Sequence, residues 1–332
     1  MSMAETASIK ATGAAGNVGA ASFLGFTRAR AIFFLLFAAF VAISPLFLYP
    51  IFLIKVYCFI IFACGYNLLL GYTGLMSFGH AAFFGTGAYL CGHAAARWGL
   101  PFELAVLTGT VVAGAMGLVF GWIAIRRTGL YFAMITLALA QMVYFIAMQV
   151  PFTGGENGIQ SIPRGTVLGI LDLSSNTTLY WVMAVIVLAS VAFYNRIIHS
   201  PFGQVLRAVR NNPERAKSLG YNVDRFKLAA FTISAAMAGF AASLKTIVFG
   251  IATLTDVSYT VSTEVVLINL VGGIGTIFGP VVGSYFILSL EHFLAPYGPW
   301  VLLIQGIVFT FFVLLFRQGI VGELQKRFRT LL

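Results

Sequence analysis

Apolar runs of about twenty residues, repeated along the chain and parted by short polar joints, leave this sequence one kind of fold. About 20 residues in a helix cross the hydrocarbon core of a bilayer. Such runs fall at Ala31–Tyr49, Ile51–Leu70, Gly79–Ala95, Phe102–Ile125, Leu130–Met148, Leu179–Ile198, Lys227–Gly250 and Pro299–Phe316. A further apolar region, Glu264–Glu291, is broken by GGIGTIFGP. The expected fold is an all-α polytopic transmembrane helical bundle of about eight spans plus a broken-helix hairpin. With 9% charged residues and a mean hydropathy of +0.94, no soluble domain of ordinary composition, at about 25% charged, fits inside the chain.

Charge placement orients the bundle. With the N-terminus in the cytoplasm, sixteen of the twenty Lys and Arg fall on the cytoplasmic side, the exceptions being Lys55, Arg97, Arg164 and Lys245. Six of the ten acids fall towards the other side. This is a positive-inside pattern with both termini cytoplasmic. It accounts for the formal charge of +10 without a nucleic-acid partner. The first 30 residues are small and polar, and the apolar run starts only at Ala31, so the first span is expected to stay as an anchor behind a disordered tail.

Several chemistries find no support. Cys58, Cys64 and Cys91 lie in apolar segments without metal or redox spacing, and read as small buried hydrophobes. The four histidines show no HExxH-type spacing, and no Walker A sequence is present. No catalytic residue, metal ligand or cofactor site is expected in this chain.

The least hydrophobic long segment is SPFGQVLRAVRNNPERAKSLGYNVDRFK, Ser200 to Lys227, with six Lys and Arg. Ser200 and Pro201 read as an N-cap and first helical position. Phe202, Val205, Leu206 and Val209 form an apolar face, while Asn212–Pro213 starts a second short helix that Gly220 ends. Two readings stand: a docking element for a partner, or an interfacial helix pair on anionic headgroups.

Two glycine-rich interruptions lie inside apolar sequence, GYTGLMSFGHAAFFGTGAY (Gly71–Tyr89) and GGIGTIFGPVVGSY (Gly272–Tyr285). Both share a Phe-Gly step and both follow an Asn, Asn67 or Asn269. Paired breaks in the two halves of a transporter point to its translocation path; close helix packing is the alternative. On the first reading the path is lined by Asn67, Ser77, His80, Glu264, Asn269, Gly272, Gly273 and Thr276. Glu264 reads rather as a cap at a helix start, and His80 equally as a packed core residue. Lys55 and Lys245 are near enough to the outer surface to snorkel. Ala235, Gly239 and Ser243 make a small stripe suited to a tight helix contact, within the subunit or with a partner. The outer loop TGGENGIQSIP, with Thr153, Gly154, Gly155 and Asn157, either receives an external protein or simply closes two spans.

Four ordered motifs resemble the LivM-type permease subunit of branched-chain amino acid ABC importers, from about Tyr66 to Gly322. They are GYTGLMSFGHAAFFGTGAY, TGGENGI, SPFGQVLRAVRNNPERAKSLGYNVDRFKLAAFTISAAMAGFAA and GGIGTIFGPVVGS. Gln204 and Asn211–Asn212 depart from the family pattern and soften the charge of the third motif. The resemblance implies a bacterial inner-membrane permease that forms half of a pore with a LivH-like second permease subunit. Two cytoplasmic ABC ATPase subunits carrying ATP and Mg would drive it, and a periplasmic or lipid-anchored substrate-binding protein would deliver cargo, with membrane lipid around it.

It further implies that Arg207, Arg210, Pro213, Glu214, Arg215, Leu219 and Gly220 couple to an ATPase and that Thr153, Gly154, Gly155 and Asn157 meet the binding protein. The chain then divides into a tail (1–30), a first transmembrane group (31–198), cytoplasmic coupling helices (199–227), a second transmembrane group (228–317) and a C-terminal tail (318–332). Leucine, isoleucine and valine are the expected cargo; the same family also takes urea, short amides, and aromatic or dicarboxylic acids. A secondary transporter is the rival class, but it calls for paired intramembrane acids or cation sites that are scarce here.

Overall fold

A computed structural model describes residues 28–327 apart from 47, 168, 170, 299 and 317. The tail expected at 1–30 therefore lies outside the described residues except at its last three positions. The described chain is helical almost throughout. Its helices are α1 (Arg28–Ile43), α2 (Pro50–Thr73), α3 (His80–Ala96), α4 (Phe102–Ala124), α5 (Leu130–Gln149), α6 (Asn176–His199), α7 (Pro201–Asn211), α8 (Pro213–Ser218), α9 (Val223–Phe249), α10 (Tyr259–Gly272), α11 (Gly279–Leu294), α12 (Trp300–Leu315) and α13 (Gly319–Arg327). A two-stranded antiparallel hairpin, Thr166–Val167 with Leu171–Asp172, sits in the loop before α6.

Among the described residues, five helices are long and apolar enough to cross a membrane: α2, α4, α5, α6 and α9. The chain is thus an all-α polytopic membrane protein. Two other expected spans are shorter, α3 with 17 residues and α12 with 16, and the two helices of the expected broken hairpin, α10 and α11, have 14 and 16. At about 1.5 Å per residue, a 14-residue helix covers about 21 Å, short of a core of about 30 Å. The expected C-terminal tail begins as the helix α13, which packs against α10 and α11.

Helix α2 is apolar all round and is buried from Leu53 to Thr73 almost without exception, as a helix with no polar face must be. It packs against α6, α9, α10 and α11. Helix α9 lies against α2, α3 and α4, and the small stripe explains how closely. A Cβ added to Gly87 of α3 would stand 2.6 Å from the Gly239 Cα. The stripe's partners are thus inside the subunit: Gly239 meets Gly87, Ser243 donates to the Gly87 carbonyl at 3.3 Å, and Ala235 meets Gly117. Helices α4, α5, α6 and α12 turn large apolar side chains outward, among them Val111, Met134, Val185 and Leu314, as lipid-facing helices do.

Candidate translocation and coupling sites

The two glycine-rich interruptions are real helix breaks of equal length. Residues 74–79 separate α2 from α3, and residues 273–278 separate α10 from α11. The last turns of α2, just before the first break, touch the second. Backbone freed at membrane depth must find partners inside the protein, and here Asn67 supplies them. Its amide N donates to the Thr276 carbonyl at 2.7 Å and to the Tyr194 hydroxyl at 2.8 Å, and its Oδ1 accepts the Gly275 N–H at 2.9 Å. Tyr72 donates to the Gly275 carbonyl at 3.1 Å. Gly71 is required at this crossing, since a Cβ there would lie 2.7 Å from the Gly275 Cα and N. Thr276 closes its own turn, donating to the Gly273 carbonyl at 2.8 Å and accepting the Gly279 N–H at 3.0 Å.

His80 begins α3 as a satisfied core residue. The Ser234 hydroxyl donates to the Gly65 carbonyl at 2.6 Å, so it accepts from His80 Nε2 at 2.8 Å. That fixes Nε2–H as the tautomer. Nδ1 then accepts from Ser77 Oγ at 3.0 Å, while the same oxygen accepts the Gly79 N–H at 3.2 Å. Tyr66, Phe83 and Phe231 close edge-on around the ring. Each proton is used once.

Asn269 donates to the Val265 carbonyl at 2.9 Å, and its Oδ1 is buried without a partner. Asn67, Ser77, His80 and Asn269 expose no surface in this conformation, and Gly272 and Gly273 are buried beside them. Glu264 and Thr276 are the expected path residues that reach the surface in part.

The basic segment folds as its sequence indicates. Ser200 caps α7 by accepting the Gly203 N–H at 3.4 Å, Asn212 caps α8 through Arg215 N at 3.0 Å, and Asn222 caps α9 through Arg225 N at 3.2 Å. Leu206 and Val209 are buried, and Phe202 stacks on Phe226 at 5.8 Å. Pro213, Glu214, Arg215, Leu219 and Gly220 are exposed.

Arg207 and Arg210 turn back to the breaks. The Arg210 guanidinium donates to the Gly71 carbonyl, and Arg207 lies 5.1 Å over the Tyr72 ring. Both line a cavity of about 410 Å3 with Gly71, Tyr72, Gly275, Thr276 and Val321 of α13. One helix thereby holds the first break, and through Gly71 and Tyr72 it reaches the second.

The outer loop is partly committed to the subunit. Thr153 is buried and donates to the Val150 carbonyl at 2.7 Å and to that of Ala147. Ile159 and Ala252 exchange two backbone bonds of 2.9 Å, and Ile162 N donates to the Gly250 carbonyl at 2.9 Å. The loop is thus zipped to the segment that follows α9. Asn157, Gly154 and the neighbouring Glu156 stay exposed, and Gly155 is half-buried.

Two ion pairs escaped the sequence reading. Lys55 reaches Glu291 at 3.1 Å, and Lys245 pairs with the buried Asp256. Snorkelling is therefore not how these lysines are satisfied; each has a carboxylate inside the protein. A separation of 236 residues between Lys55 and Glu291 leaves no local pattern to find. Glu264 is not a helix cap either. Helix α10 starts five residues earlier, where Ser258 accepts the Thr260 N–H, and Glu264 stands in its interior. Cys58, Cys64 and Cys91 are free and buried.

Residues 48–316 match the family described as branched-chain amino acid transport system / permease component. The chain is 29% identical over 271 residues to the high-affinity branched-chain amino acid transport system permease protein LivM of Escherichia coli (strain K12), and equally to that of Salmonella typhimurium over 272. Each alignment covers 75% of this chain and 64% of the relative, so the chain spans just under two thirds of those relatives' length. It is also 26% identical over 232 residues to the galactose/methyl galactoside import permease protein MglC of Escherichia coli (strain K12), covering 65% of this chain and 67% of that one. No solved structure matches. A match over residues 48–316, which takes in both helix breaks and the basic segment between the transmembrane groups, establishes that the chain belongs to the branched-chain amino acid transport system permease family.

Proposed function

We propose that the chain forms one half of the pore of an ATP-driven importer for branched-chain amino acids in a bacterial inner membrane. A second permease of the same family completes the pore, two cytoplasmic ATPases drive it, and a binding protein outside delivers the cargo. In this reading both termini and the α7–α8 pair are cytoplasmic, and the shorter helices complete eight spans and a broken hairpin. The exposed ridge of Pro213, Glu214, Arg215, Leu219 and Gly220 enters an ATPase groove.

The observation that carries the proposal is the link from α7 to both breaks, through Arg210 to Gly71 and through Tyr72 to Gly275. A tilt of α7 imposed by ATPase closure pulls on the first break and, through Gly71 against Gly275, on the second. Asn67, Ser77, His80 and Asn269 hold the breaks in shape, so that they move as one piece rather than unwinding. At the outer end, Glu156 and Asn157 form the surface that the binding protein meets, beside the Gly154–Gly155 turn. The likeness to a galactoside permease makes cargo a property to be measured.

The test is a reconstituted complex in which ligands on the binding protein are scored for stimulation of ATP hydrolysis and for uptake. Leucine, isoleucine and valine are expected to stimulate; stimulation by urea or a sugar, without leucine, refutes the cargo. Joint replacement of Glu214 and Arg215 by Ala is expected to abolish uptake while the binding protein still captures cargo. Unchanged uptake refutes the docking role.

A further inference from the structure

Two cavities on the outside of the bundle share helices α4 and α9. The first, of about 420 Å3, opens where α4 ends and α9 begins, and is lined by Trp122, Ile125, Arg126, Asp224, Arg225 and Leu228. Arg126 lies 4.9 Å over the Trp122 ring, and both arginines are exposed. Among the described residues neither makes an ion pair, even with Asp224, the one acid at the site. The second cavity, of about 530 Å3, lies deeper along the same helices. It is lined by Ile61 of α2, Thr110 of α4, Ala189 and Phe193 of α6, and Ile233 and Phe240 of α9.

One exposed stripe joins them. On α9, Arg225, Ala229, Thr232, Ala236 and Phe240 recur every three or four residues and all keep some exposure, so they share a face. On α6, Ala189, Phe193 and Arg196 do the same and end in a third exposed arginine. The deep cavity is dry. Its two hydroxyls, of Thr110 and Ser190, give their hydrogens to the Val106 and Ile186 carbonyls at 2.8 and 2.7 Å. At about 1.5 Å per residue, the stripe runs about 12 Å from Arg225 to Ile233 and about 22 Å to Phe240. That range takes in the middle of a hydrocarbon core, about 15 Å deep. A hydrocarbon chain hung from a headgroup beside Arg225 therefore ends in the deep cavity. Two guanidiniums against one carboxylate select a negative headgroup, and a tryptophan beside them suits the headgroup level. A helix of another subunit accounts for the apolar cavity but not for the two guanidiniums at its mouth.

We propose that this groove holds one anionic phospholipid, with its phosphate between Arg126 and Arg225 and an acyl chain between α6 and α9. The inference is independent of the cargo and of the ATPase docking.

The test is native mass spectrometry of the full chain released from detergent micelles, titrated with phosphatidylglycerol and, separately, with phosphatidylcholine of the same chains. A basic residue near an anionic headgroup is worth about fivefold in affinity, so the pair is worth about thirtyfold. Wild type is expected to prefer phosphatidylglycerol. Arg126→Gln with Arg225→Gln is expected to lower that affinity about thirtyfold while phosphatidylcholine binding stays near wild type. Arg126→Lys with Arg225→Lys, which keeps both charges, is expected to retain most of it. Ala189→Phe, a change at an exposed position, fills the groove and is expected to weaken both lipids about tenfold or more. Glycerophosphoglycerol and inorganic phosphate, which carry the charge without a chain, are expected not to displace the lipid. Equal affinity of wild type for the two lipids overturns the inference. So does unchanged phosphatidylglycerol affinity in the double Gln variant or in Ala189→Phe. Displacement by inorganic phosphate overturns it in favour of a soluble anion. Release of the lipid when a second permease subunit joins the chain overturns it in favour of a subunit contact. Each variant is expected to keep the wild-type melting midpoint in phosphatidylcholine micelles; for one that does not, the wild-type lipid comparison and the displacement measurements still decide.

Discussion

Asn67→Ala removes the side chain that joins α2 to the second helix break, and its cost can be worked out. Three hydrogen bonds disappear, to Thr276 O, Gly275 N and Tyr194 Oη. Polar contacts between membrane helices average about 0.6 kcal/mol and reach about 1.7 kcal/mol. Here one partner goes and the Tyr194 hydroxyl stays behind fully buried, which pushes that contact towards the upper value, while Gly275 and Thr276 border a cavity and stay nearer the mean. The sum is a loss of about 3 kcal/mol. Asn195→Ala is the matched control on the neighbouring helix, because the Asn195 Oδ1 is already buried without a partner; it is expected to cost less than about 0.5 kcal/mol by the same reasoning. Unfolding of the purified permease in mixed micelles with increasing dodecyl sulfate, followed by tryptophan fluorescence, measures both. If Asn67→Ala costs no more than Asn195→Ala, α2 is not joined to the second break as described.

Other substitutions test separate parts of the frame. Gly239→Leu places a side chain where Gly87 and Ala113 already stand; overpacking of about 1–3 kcal/mol or more should lower the melting midpoint by several degrees, whereas Gly306→Leu, with nothing near its Cβ, should leave it unchanged. Asp256→Asn keeps the shape of the Thr253–Asp256 turn but leaves Lys245 without its anion; breaking a buried pair costs about 3–5 kcal/mol, read as a lower sulfate midpoint, and Lys245→Met in the same chain should restore part of it. Ser200→Ala removes the α7 cap at about 1 kcal/mol and should raise amide exchange in α7 without altering α4.

The helical class, the long spans and both breaks were legible because each is written in local sequence. Twenty-residue apolar runs can only be helices in lipid, and Gly-rich steps beside Phe78 and Phe278 interrupt them. The caps at Ser200 and Asn212 were legible for the same reason. What was not legible joins distant segments. Asn67 looked like a path-lining amide, and nothing nearby in sequence announces Gly275 or Thr276 as its partners. His80 was ambiguous until Ser234, on a helix 154 residues away, fixed its tautomer. Glu264 was misjudged because the helix is capped at Ser258, and a Ser cap six residues before Glu264 leaves little pattern. The contacts of the exposed Arg207 and Arg210 with Tyr72 and Gly71 were hidden too, since in an amphipathic helix a basic face reads only as a solvated one.

The link from α7 to the breaks is tested most directly by the number of leucine molecules imported per ATP hydrolysed in Arg210→Ala complexes. Arg210 is exposed like Glu214 and Arg215 but also donates to Gly71, so its loss cuts the link to α2 and leaves the Glu214–Arg215 ridge in place. The account predicts hydrolysis within about twofold of wild type and a transport-to-hydrolysis ratio reduced about tenfold, the loss expected for a hydrogen bond to a charged group. An unchanged ratio would contradict it.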